Sequence, residues 1–259
     1  HRERLKDDAP TIGTEGVESV AAASASVSSG GRTNYWRAGI DLAATWLQPR
    51  WEHQLPGDLP RGAIVRFEDS LLVGSDGHYG GESGLRCIDL TSGATRWHVY
   101  TDDNIQASPE VDAAGTCTVI TPAGRLYCID AMDGAIRWTA DLPGFPERWI
   151  YCSPVTGHQG KSGADVIYAG SNAGWGAFDG GTGANLWYHS FVGNAPRIID
   201  KPSRARAMIS GDLLIALIPK RGLVALDRKV GDMVWERPLA VQHYWATPVV
   251  TEDLIITGG

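Results

Sequence analysis

The sequence lacks most of the patterns that indicate a membrane-spanning, metal-binding or catalytic protein. No apolar run approaches the roughly 18 residues of a membrane-spanning helix. The four cysteines include no adjacent pair and no zinc spacing, which argues against a disulfide framework and against structural zinc. Neither a Gly-x-Ser-x-Gly elbow nor a P-loop occurs, and the histidines show no metal spacing. A net charge of −7 disfavours nonspecific binding to nucleic acid.

An eleven-residue motif occurs four times in the chain. Its first residue is Cys or Ala, its third is Asp, its seventh is Gly and its last is Trp. The four copies are Cys87 to Trp97, Cys128 to Trp138, Ala177 to Trp187 and Ala225 to Trp235. The final tryptophans are 41, 49 and 48 residues apart, a period that fits one four-stranded propeller blade. The sequence therefore predicts an all-β repeat protein.

Each motif is also typical of a β-hairpin. An apolar strand leads into the Asp, a Gly turn follows, and a second strand ends at the Trp. We expect the Asp carboxylate to accept backbone N–H groups across the turn and the Gly to adopt a positive φ.

A second marker precedes each motif, a proline flanked by small or polar residues. These prolines are Pro109, Pro154, Pro202 and Pro248, at steps of 45, 48 and 46 residues. By this alignment Lys201 replaces the Ser or Thr that stands before the proline in the other copies. The shared period of the two markers supports a blade repeat.

The motif resembles the tryptophan-docking motif of the pyrroloquinoline-quinone-type (PQQ-like) β-propellers over roughly residues 58 to 259. The resemblance implies a β-propeller of four-stranded blades in which the indole of one blade is wedged against the next. It also implies a small side chain and a glycine on the receiving surface. Cys87, Cys128, Ala177 and Ala225 meet the size requirement.

The two ends of the chain leave the number of blades open. Residues 1–34, charged and then rich in Ala and Ser, are predicted to be a disordered leader or linker, and residues 35–259 the propeller. Residues 246–259 supply only two inner strands, whereas Ile40, Asp41 and Trp51 resemble a degenerate outer hairpin without its Gly. Joined, these pieces would complete a fifth blade. The alternative is that the chain is a fragment of a larger ring.

Any binding site is expected on the face that carries the blade-to-blade loops and the loops between second and third strands, where the sequence departs from the repeat. Three segments differ most: residues 75–83, 143–151 and 193–206. The candidate binding residues are His78, Tyr79, Arg148, Trp149, Arg197, Lys201, Lys220, Arg221, Tyr244 and Trp245. Arg197 and Lys201 are the leading candidates for holding an anionic group. Structural alternatives are a Gly-rich surface loop, packing between blades, and ordinary salt bridges.

The resemblance implies two main functions. The first is a noncatalytic scaffold that binds a protein or small molecule through the loop face. The second is a PQQ-dependent oxidoreductase with Ca²⁺, in which Arg148, Arg197 or Lys201 would pair with the quinone carboxylates. Quinoprotein alcohol dehydrogenases typically have two adjacent cysteines beneath the cofactor, and the absence of such a pair here weighs against the oxidoreductase function. A propeller domain of a larger multidomain enzyme is a third alternative, and the family favours an extracytoplasmic location.

Overall fold

A computed structural model describes residues 51–55, 64–77, 82–143, 150–159, 164–191, 204–239, 247–251 and 253–257. Within these ranges every regular element is a strand, and 18 strands are present. The described part of the chain contains no helix long and apolar enough to cross a membrane.

The strands form four antiparallel sheets of four strands and one of two, each in chain order. Blade 1 contains β1 (Ile64–Phe67), β2 (Ser70–Ser75), β3 (Gly84–Asp89) and β4 (Thr95–Tyr100). Blade 2 contains β5 (Glu110–Val111), β6 (Thr116–Ile120), β7 (Arg125–Asp130) and β8 (Ile136–Asp141). Blade 3 contains β9 (Val155–Gln159), β10 (Ala164–Gly170), β11 (Gly174–Asp179) and β12 (Asn185–Ser190). Blade 4 contains β13 (Met208–Ser210), β14 (Leu213–Ile218), β15 (Gly222–Asp227) and β16 (Met233–Arg237). Blade 5 contributes β17 (Val249–Val250) and β18 (Ile255–Ile256).

The motif turns have the predicted geometry. In the first copy, Asp89 Oδ1 accepts the N–H groups of Thr91 and Ser92 at 2.8 and 2.7 Å. The Gly93 N–H donates to Asp89 O at 2.8 Å, and Gly93 has a φ of 75°. The other three motif glycines have φ between 74° and 80°. An L side chain rarely adopts this left-handed conformation, which is why Gly recurs at the seventh position.

The docking of tryptophans between blades is confirmed. The indole N–H groups of Trp97, Trp138 and Trp187 each donate to a carbonyl in the motif turn of the following blade. The acceptors are Ala131 O at 3.3 Å, Gly180 O at 2.8 Å and Arg228 O at 2.9 Å. Each ring also lies directly against the turn glycine of that blade, as Trp97 does against Gly134. Burial of an indole in this way contributes about 2–4 kcal/mol of apolar transfer energy per blade.

The small residue at the first motif position has a different role from the predicted one. Cys128 is the cross-strand partner of Trp138 in its own hairpin, and the other three copies show the same pairing. Of the two motif positions predicted to receive the indole, only the glycine lies on the blade against which the indole docks. Because directly paired residues project from the same face, a bulky side chain at this position would displace the indole.

Trp51 docks on blade 1 as the motif tryptophans dock on later blades. Its Nε1 donates to Leu90 O at 2.8 Å, and its ring lies against Gly93. His53 Nδ1 lies 2.8 Å from Gly93 O. Along residues 51–55 half-buried and exposed side chains alternate, the period of a strand. These residues therefore hold the place of an outer strand belonging to a blade that precedes blade 1.

The core lies in layers between neighbouring blades. Between blades 3 and 4, for example, Tyr168 and Trp175 pack with Leu214 and Val224, all almost completely buried. Equivalent clusters join blades 1 and 2, blades 2 and 3, and blades 4 and 5. Blades 2, 3 and 4 are thus apolar on both faces, as expected for sheets covered on both sides.

The four cysteines are buried thiols that pack within these layers. The β6–β7 hairpin pairs Cys117 with Ile129 and Thr118 with Cys128. The two sulfurs are therefore not directly opposite each other. Burial raises the pKa of the Cys128 thiol to about 11, so it stays protonated and unreactive at neutral pH.

Candidate functional site

The two faces of the propeller carry different kinds of connection. The motif turns and the turns between first and second strands lie on one side, which we call the turn face. The blade-to-blade connections and the loops between second and third strands lie on the other side, which we call the loop face. This follows from the antiparallel order of the four strands in each blade.

Only two of the ten predicted site residues belong to the described part of the chain. Lys220 and Arg221 lie in the β14–β15 loop, on the loop face. The other eight, which lie outside the described residues, are His78, Tyr79, Arg148, Trp149, Arg197, Lys201, Tyr244 and Trp245. Their assignment remains a prediction.

Arg221 connects blades 3 and 4. Its guanidinium pairs with Glu236, with Nη2 to Oε2 at 2.6 Å and Nε to Oε1 at 2.9 Å. Nη1 donates to Phe191 O at 3.4 Å, and the guanidinium lies 5.3 Å from the Phe191 ring centroid. The guanidinium also holds the pKa of Glu236 below its ordinary value. The bidentate geometry is that of an interblade clamp. Lys220 adopts a left-handed φ of 67° at the loop tip.

A polar group that sequence reasoning did not identify lies where the loops of blades 1 and 2 meet. Asp76 Oδ2 accepts the side-chain amide of Gln106 at 2.8 Å, and Asp76 Oδ1 accepts that of Asn104 at 3.2 Å. Asn104 is 8% exposed. Within the described ranges its Oδ1 atom has no hydrogen-bond partner. A buried acceptor without a donor costs about 1–3 kcal/mol.

A second polar pair lies beside the first. The Arg204 guanidinium is 4.4 Å from the centroid of the Tyr151 ring, in a cation–π arrangement. Burial raises the pKa of Tyr151; the positive charge of Arg204 opposes this, and the negative charges of Asp103 and Asp76 add to it. We call Asp76, Asn104, Gln106, Tyr151 and Arg204 the loop-face cluster.

A buried ion pair lies beneath the cluster, on the innermost strands. Arg206 Nη2 pairs with Glu110 Oε1, and both side chains are 5% exposed. The Thr156 N–H donates to the same Glu110 oxygen at 3.4 Å. Glu110 begins β5 of blade 2, Thr156 lies in β9 of blade 3, and Arg206 precedes β13 of blade 4. The ion pair and this hydrogen bond together link the inner strands of three blades.

The register of the sheets corrects the repeat alignment that placed Lys201 at the position before the repeat proline. In blades 2, 3 and 4, the first residue of the innermost strand pairs with a residue of the second strand, and that residue pairs in turn with the first residue of the motif. The first residues of β5, β9 and β13, the last of which is Met208, are therefore equivalent positions. Arg206 and Ala207 therefore occupy the places of Ser108 and Pro109. The Arg206 N–H donates to Thr247 Oγ1 at 3.1 Å, just as the Ser108 N–H donates to Ser153 Oγ at 3.0 Å. The prediction that Lys201 replaces the Ser or Thr is wrong, because the proline at 202 is out of step with the strand.

Another charged group lies at the outer edge of blade 1, on the loop face. Glu82 pairs with Arg86 and accepts the Tyr100 hydroxyl at 3.2 Å. His98 Nδ1 lies 3.6 Å from the same carboxylate. Burial and the Arg86 charge lower the pKa of His98, which favours neutral imidazole. This group closes the base of the 75–83 loop rather than joining the loop-face cluster.

The described residues do not fit a calcium-bound quinone. In the part of the chain that the structure describes, no group of three or more His, Cys, Asp or Glu side chains could hold a metal ion. Of the nearby cations, Arg206 is paired with Glu110 and Arg204 covers the face of Tyr151.

Sequence signals for these groups were weak. Asp76, Asn104 and Gln106 come from two segments that are 28 and 30 residues apart, and no repeat links them. Glu110 could have been found, because it is the only acidic residue that directly follows one of the repeat prolines. Arg206 belongs to the basic segment 193–206, whose charge the sequence did indicate.

These features define a class: the chain is a β-propeller built from PQQ-like repeats. It belongs to the family whose model is described as outer membrane protein assembly factor BamB, which matches residues 81–258. No curated protein matches the chain in sequence.

Solved structures similar to this chain include BamB and two dehydrogenases. BamB from Moraxella catarrhalis is 18% identical and aligns over 79% of this chain and 70% of its own, with a TM-score of 0.44. A europium-containing methanol dehydrogenase is 13% identical over 71% of this chain, with a TM-score of 0.54. The quinohemoprotein alcohol dehydrogenase of Comamonas testosteroni is 16% identical over 77%, with a TM-score of 0.52. The chain spans 42% and 38% of these two dehydrogenases.

Proposed function

We propose that this chain is a noncatalytic scaffold that binds a polypeptide partner through its loop face. The family description, an assembly factor for outer membrane proteins, supports a protein partner. The same description supports an extracytoplasmic location as part of the proposal. The described residues contribute a preorganised polar surface to this face.

The observation that carries the proposal is the arrangement around Asp76. Its carboxylate fixes the side-chain amides of both Asn104 and Gln106. The Asn104 amide is thereby oriented while its Oδ1 remains without a donor in the described part of the protein. The half-buried side chains of Asp76 and Gln106 are the groups that a bound polypeptide could reach. Because the cluster is held in place before binding, little side-chain entropy is lost on association.

The electrostatics of the cluster favour a partner with a basic side chain. Asp76 and Asp103 both act on Tyr151, and the cation Arg204 covers the tyrosine ring. A lysine or arginine of the partner could approach the carboxylates, while an apolar or acidic group could contact Tyr151 and Arg204. Such a mixed surface suits an extended peptide better than a single small anion.

Site-specific photo-crosslinking tests the proposal. Asp102, an exposed residue of the blade 1 to blade 2 connection, is replaced by p-benzoylphenylalanine in the full-length chain in cells. The matched control carries the same group at Met132, which is 61% exposed on the turn face. We expect a discrete polypeptide adduct from position 102 alone. Equal adducts from both positions would contradict a loop-face site.

A cofactor titration separates the scaffold from an oxidoreductase. Purified protein is incubated with PQQ and CaCl₂, and dye reduction is followed with alcohols and sugars as substrates. We expect no turnover above that of the Asp76→Asn variant or of free PQQ. Saturable binding with turnover would replace the scaffold proposal by a quinoprotein function.

A further inference from the structure

The buried ion pair of Glu110 and Arg206 departs from the repeat at both of its positions. Where blade 4 has Arg206, the equivalent residues of blades 2, 3 and 5 are Ser108, Ser153 and Thr247. The Ser153 and Thr247 hydroxyls each accept an N–H from the preceding blade, and an arginine side chain has no acceptor atom with which to do so. At the position of Glu110, blades 3 and 4 have an apolar residue. A charged pair has therefore replaced two groups that serve the architecture.

Stability does not account for this replacement. Both charged side chains are 5% exposed, so the cost of removing them from water opposes their mutual attraction. The Arg206 Nε atom has no hydrogen-bond partner among the described residues, so the buried guanidinium is incompletely compensated. A buried pair of this kind is often no more stabilising than apolar side chains of similar size. A local rule that is broken without a gain in stability indicates a role in function.

The carboxylate half of the loop-face cluster is connected to the ion pair through β5. Asp76 fixes the side-chain amides of Asn104 and Gln106 by hydrogen bonds. Gln106 lies four residues before Glu110, which begins β5. The Glu110 carboxylate therefore anchors the same stretch of chain that carries the two amides.

The other half of the cluster, Tyr151 with Arg204, is connected to the same pair through blades 3 and 4. Tyr151 lies five residues before Thr156, whose N–H donates to Glu110 Oε1 at 3.4 Å. Arg204, whose guanidinium is 4.4 Å from the Tyr151 ring centroid, lies two residues before Arg206. One carboxylate thus ties together the chain segments that carry the two halves of the cluster.

We propose that Glu110 and Arg206 are positioning residues, which hold the two halves of the loop-face cluster at a fixed spacing so that one partner engages both. This inference rests on the proposed loop-face function and names what sets its specificity. The half around Asp76 suits a basic side chain of the partner, and the half with Arg204 suits an acidic one. The polypeptide that binds must therefore present a basic and an acidic residue at a matching separation. Because both halves are fixed before binding, little order is lost on association.

Fluorine NMR of 3-fluorotyrosine, introduced at Tyr151 in the full-length chain, tests the positioning without a partner. The variant Glu110→Val, Arg206→Ser removes the ion pair, and the variant Arg204→Gln gives the reference signal of a ring without its cation. We expect the double variant to move the signal more than half of the way from the wild-type position to the reference position. Glu236→Gln, which breaks a different ion pair of the loop face, is the matched control and should leave the signal in place.

Arg206→Lys is a second, milder variant, which keeps a cation beside Glu110. Its signal should stay close to the wild-type position. A wild-type signal in the double variant would overturn the proposal. So would a lysine variant whose signal moves as far as that of the double variant, because the charge would then not be what positions Tyr151. Loss of the folded state in the double variant, seen by circular dichroism, would assign the pair to the architecture and would also contradict the proposal.

Photo-crosslinking from position 102 measures the consequence for recognition. With p-benzoylphenylalanine at that position, we expect the variant Glu110→Val, Arg206→Ser to give about tenfold less polypeptide adduct than the chain without further substitution. Glu236→Gln should keep the full yield. An undiminished yield from the double variant would contradict the positioning role. If the chain without further substitution gives no adduct, the proposed function fails, and the fluorine signal still decides whether the pair positions the cluster.

Discussion

The turn face and the loop face of this propeller are built on opposite principles. On the turn face, four copies of one motif make the same contacts, with an Asp that accepts turn N–H groups and a Gly that receives an indole. The loop face carries three contacts of different chemistry, none of which is repeated from blade to blade. They are the Asp76 hydrogen bonds, the cation–π pair of Tyr151 and Arg204, and the Arg221 clamp. Repetition thus specifies the architecture, and the variable face is available for recognition. Substitutions on the two faces should therefore separate stability from binding.

The largest expected effect is on the repeated indole contact. We expect Trp138→Ala to lower the free energy of unfolding by about 3–5 kcal/mol, because a buried ring and its bond to Gly180 O are lost. Met132→Ala, an exposed residue of the same turn face, should change it by less than about 0.5 kcal/mol. Urea unfolding followed by circular dichroism measures both. Similar values for the two variants would refute the docking contact as a main source of stability.

The buried ion pair gives the next largest effect. Glu110→Gln leaves Arg206 as an unpaired buried charge, and we expect a loss of about 3 kcal/mol. The double variant Glu110→Val, Arg206→Ser introduces at both positions the residue that blade 3 has at the equivalent position, Val155 and Ser153. We expect it to unfold within about 1 kcal/mol of the wild type, since a buried ion pair and an apolar replacement are often equivalent. Additive losses in a double-mutant cycle would show that the two charges act independently.

A glycine comparison sharpens the difference between a turn that receives an indole and one that does not. Gly134 and Gly211 both have positive φ, at 80° and 55°. A Cβ at Gly134 would lie 2.8 Å from Trp97 Cδ2, whereas a Cβ at Gly211 would meet nothing within 4 Å. We expect Gly134→Ala to cost about 2 kcal/mol more than Gly211→Ala, because only the first displaces a ring. Equal costs in thermal unfolding would mean that backbone strain alone selects glycine.

The smallest expected effect is at the Arg221 clamp and depends on pH. The pKa of Glu236 is lowered in the folded protein, so its contribution is present above the unfolded carboxyl pKa and is lost as pH falls through the folded one. At pH 7, Glu236→Gln should therefore be less stable than wild type by about 0.5–1 kcal/mol. The difference should begin to shrink near the ordinary carboxyl pKa of about 4.3 and disappear as pH falls through the lowered pKa of Glu236. A difference that grows on acidification would contradict this pairing.

The architecture was predictable because its determinants are local. Asp89, Gly93 and Trp97 lie within nine residues, and their spacing alone indicates the hairpin, the turn and the docking ring. The four-stranded sheets follow from the repetition of this unit, whereas the number of blades does not.

The candidate site was less predictable because its contacts are long-range. The sequence indicated Arg206 only as part of a basic segment. The repeat alignment was anchored on the proline at 202, and it therefore assigned Lys201 to the position that Arg206 occupies. Asp76 and Gln106 meet only after two blades have packed together. No pattern of spacing encodes such a contact, so the structure was needed to find it.

The most direct test of the account is the affinity of the purified chain for the partner identified by cross-linking at position 102. Asp76→Asn, on the loop face, should weaken binding at least tenfold, because it removes the charge that orients Asn104 and Gln106. Asp133→Asn, on the turn face, should leave the Kd unchanged. If both substitutions weaken binding equally, or only the turn-face substitution does, the assignment of recognition to the loop face is wrong.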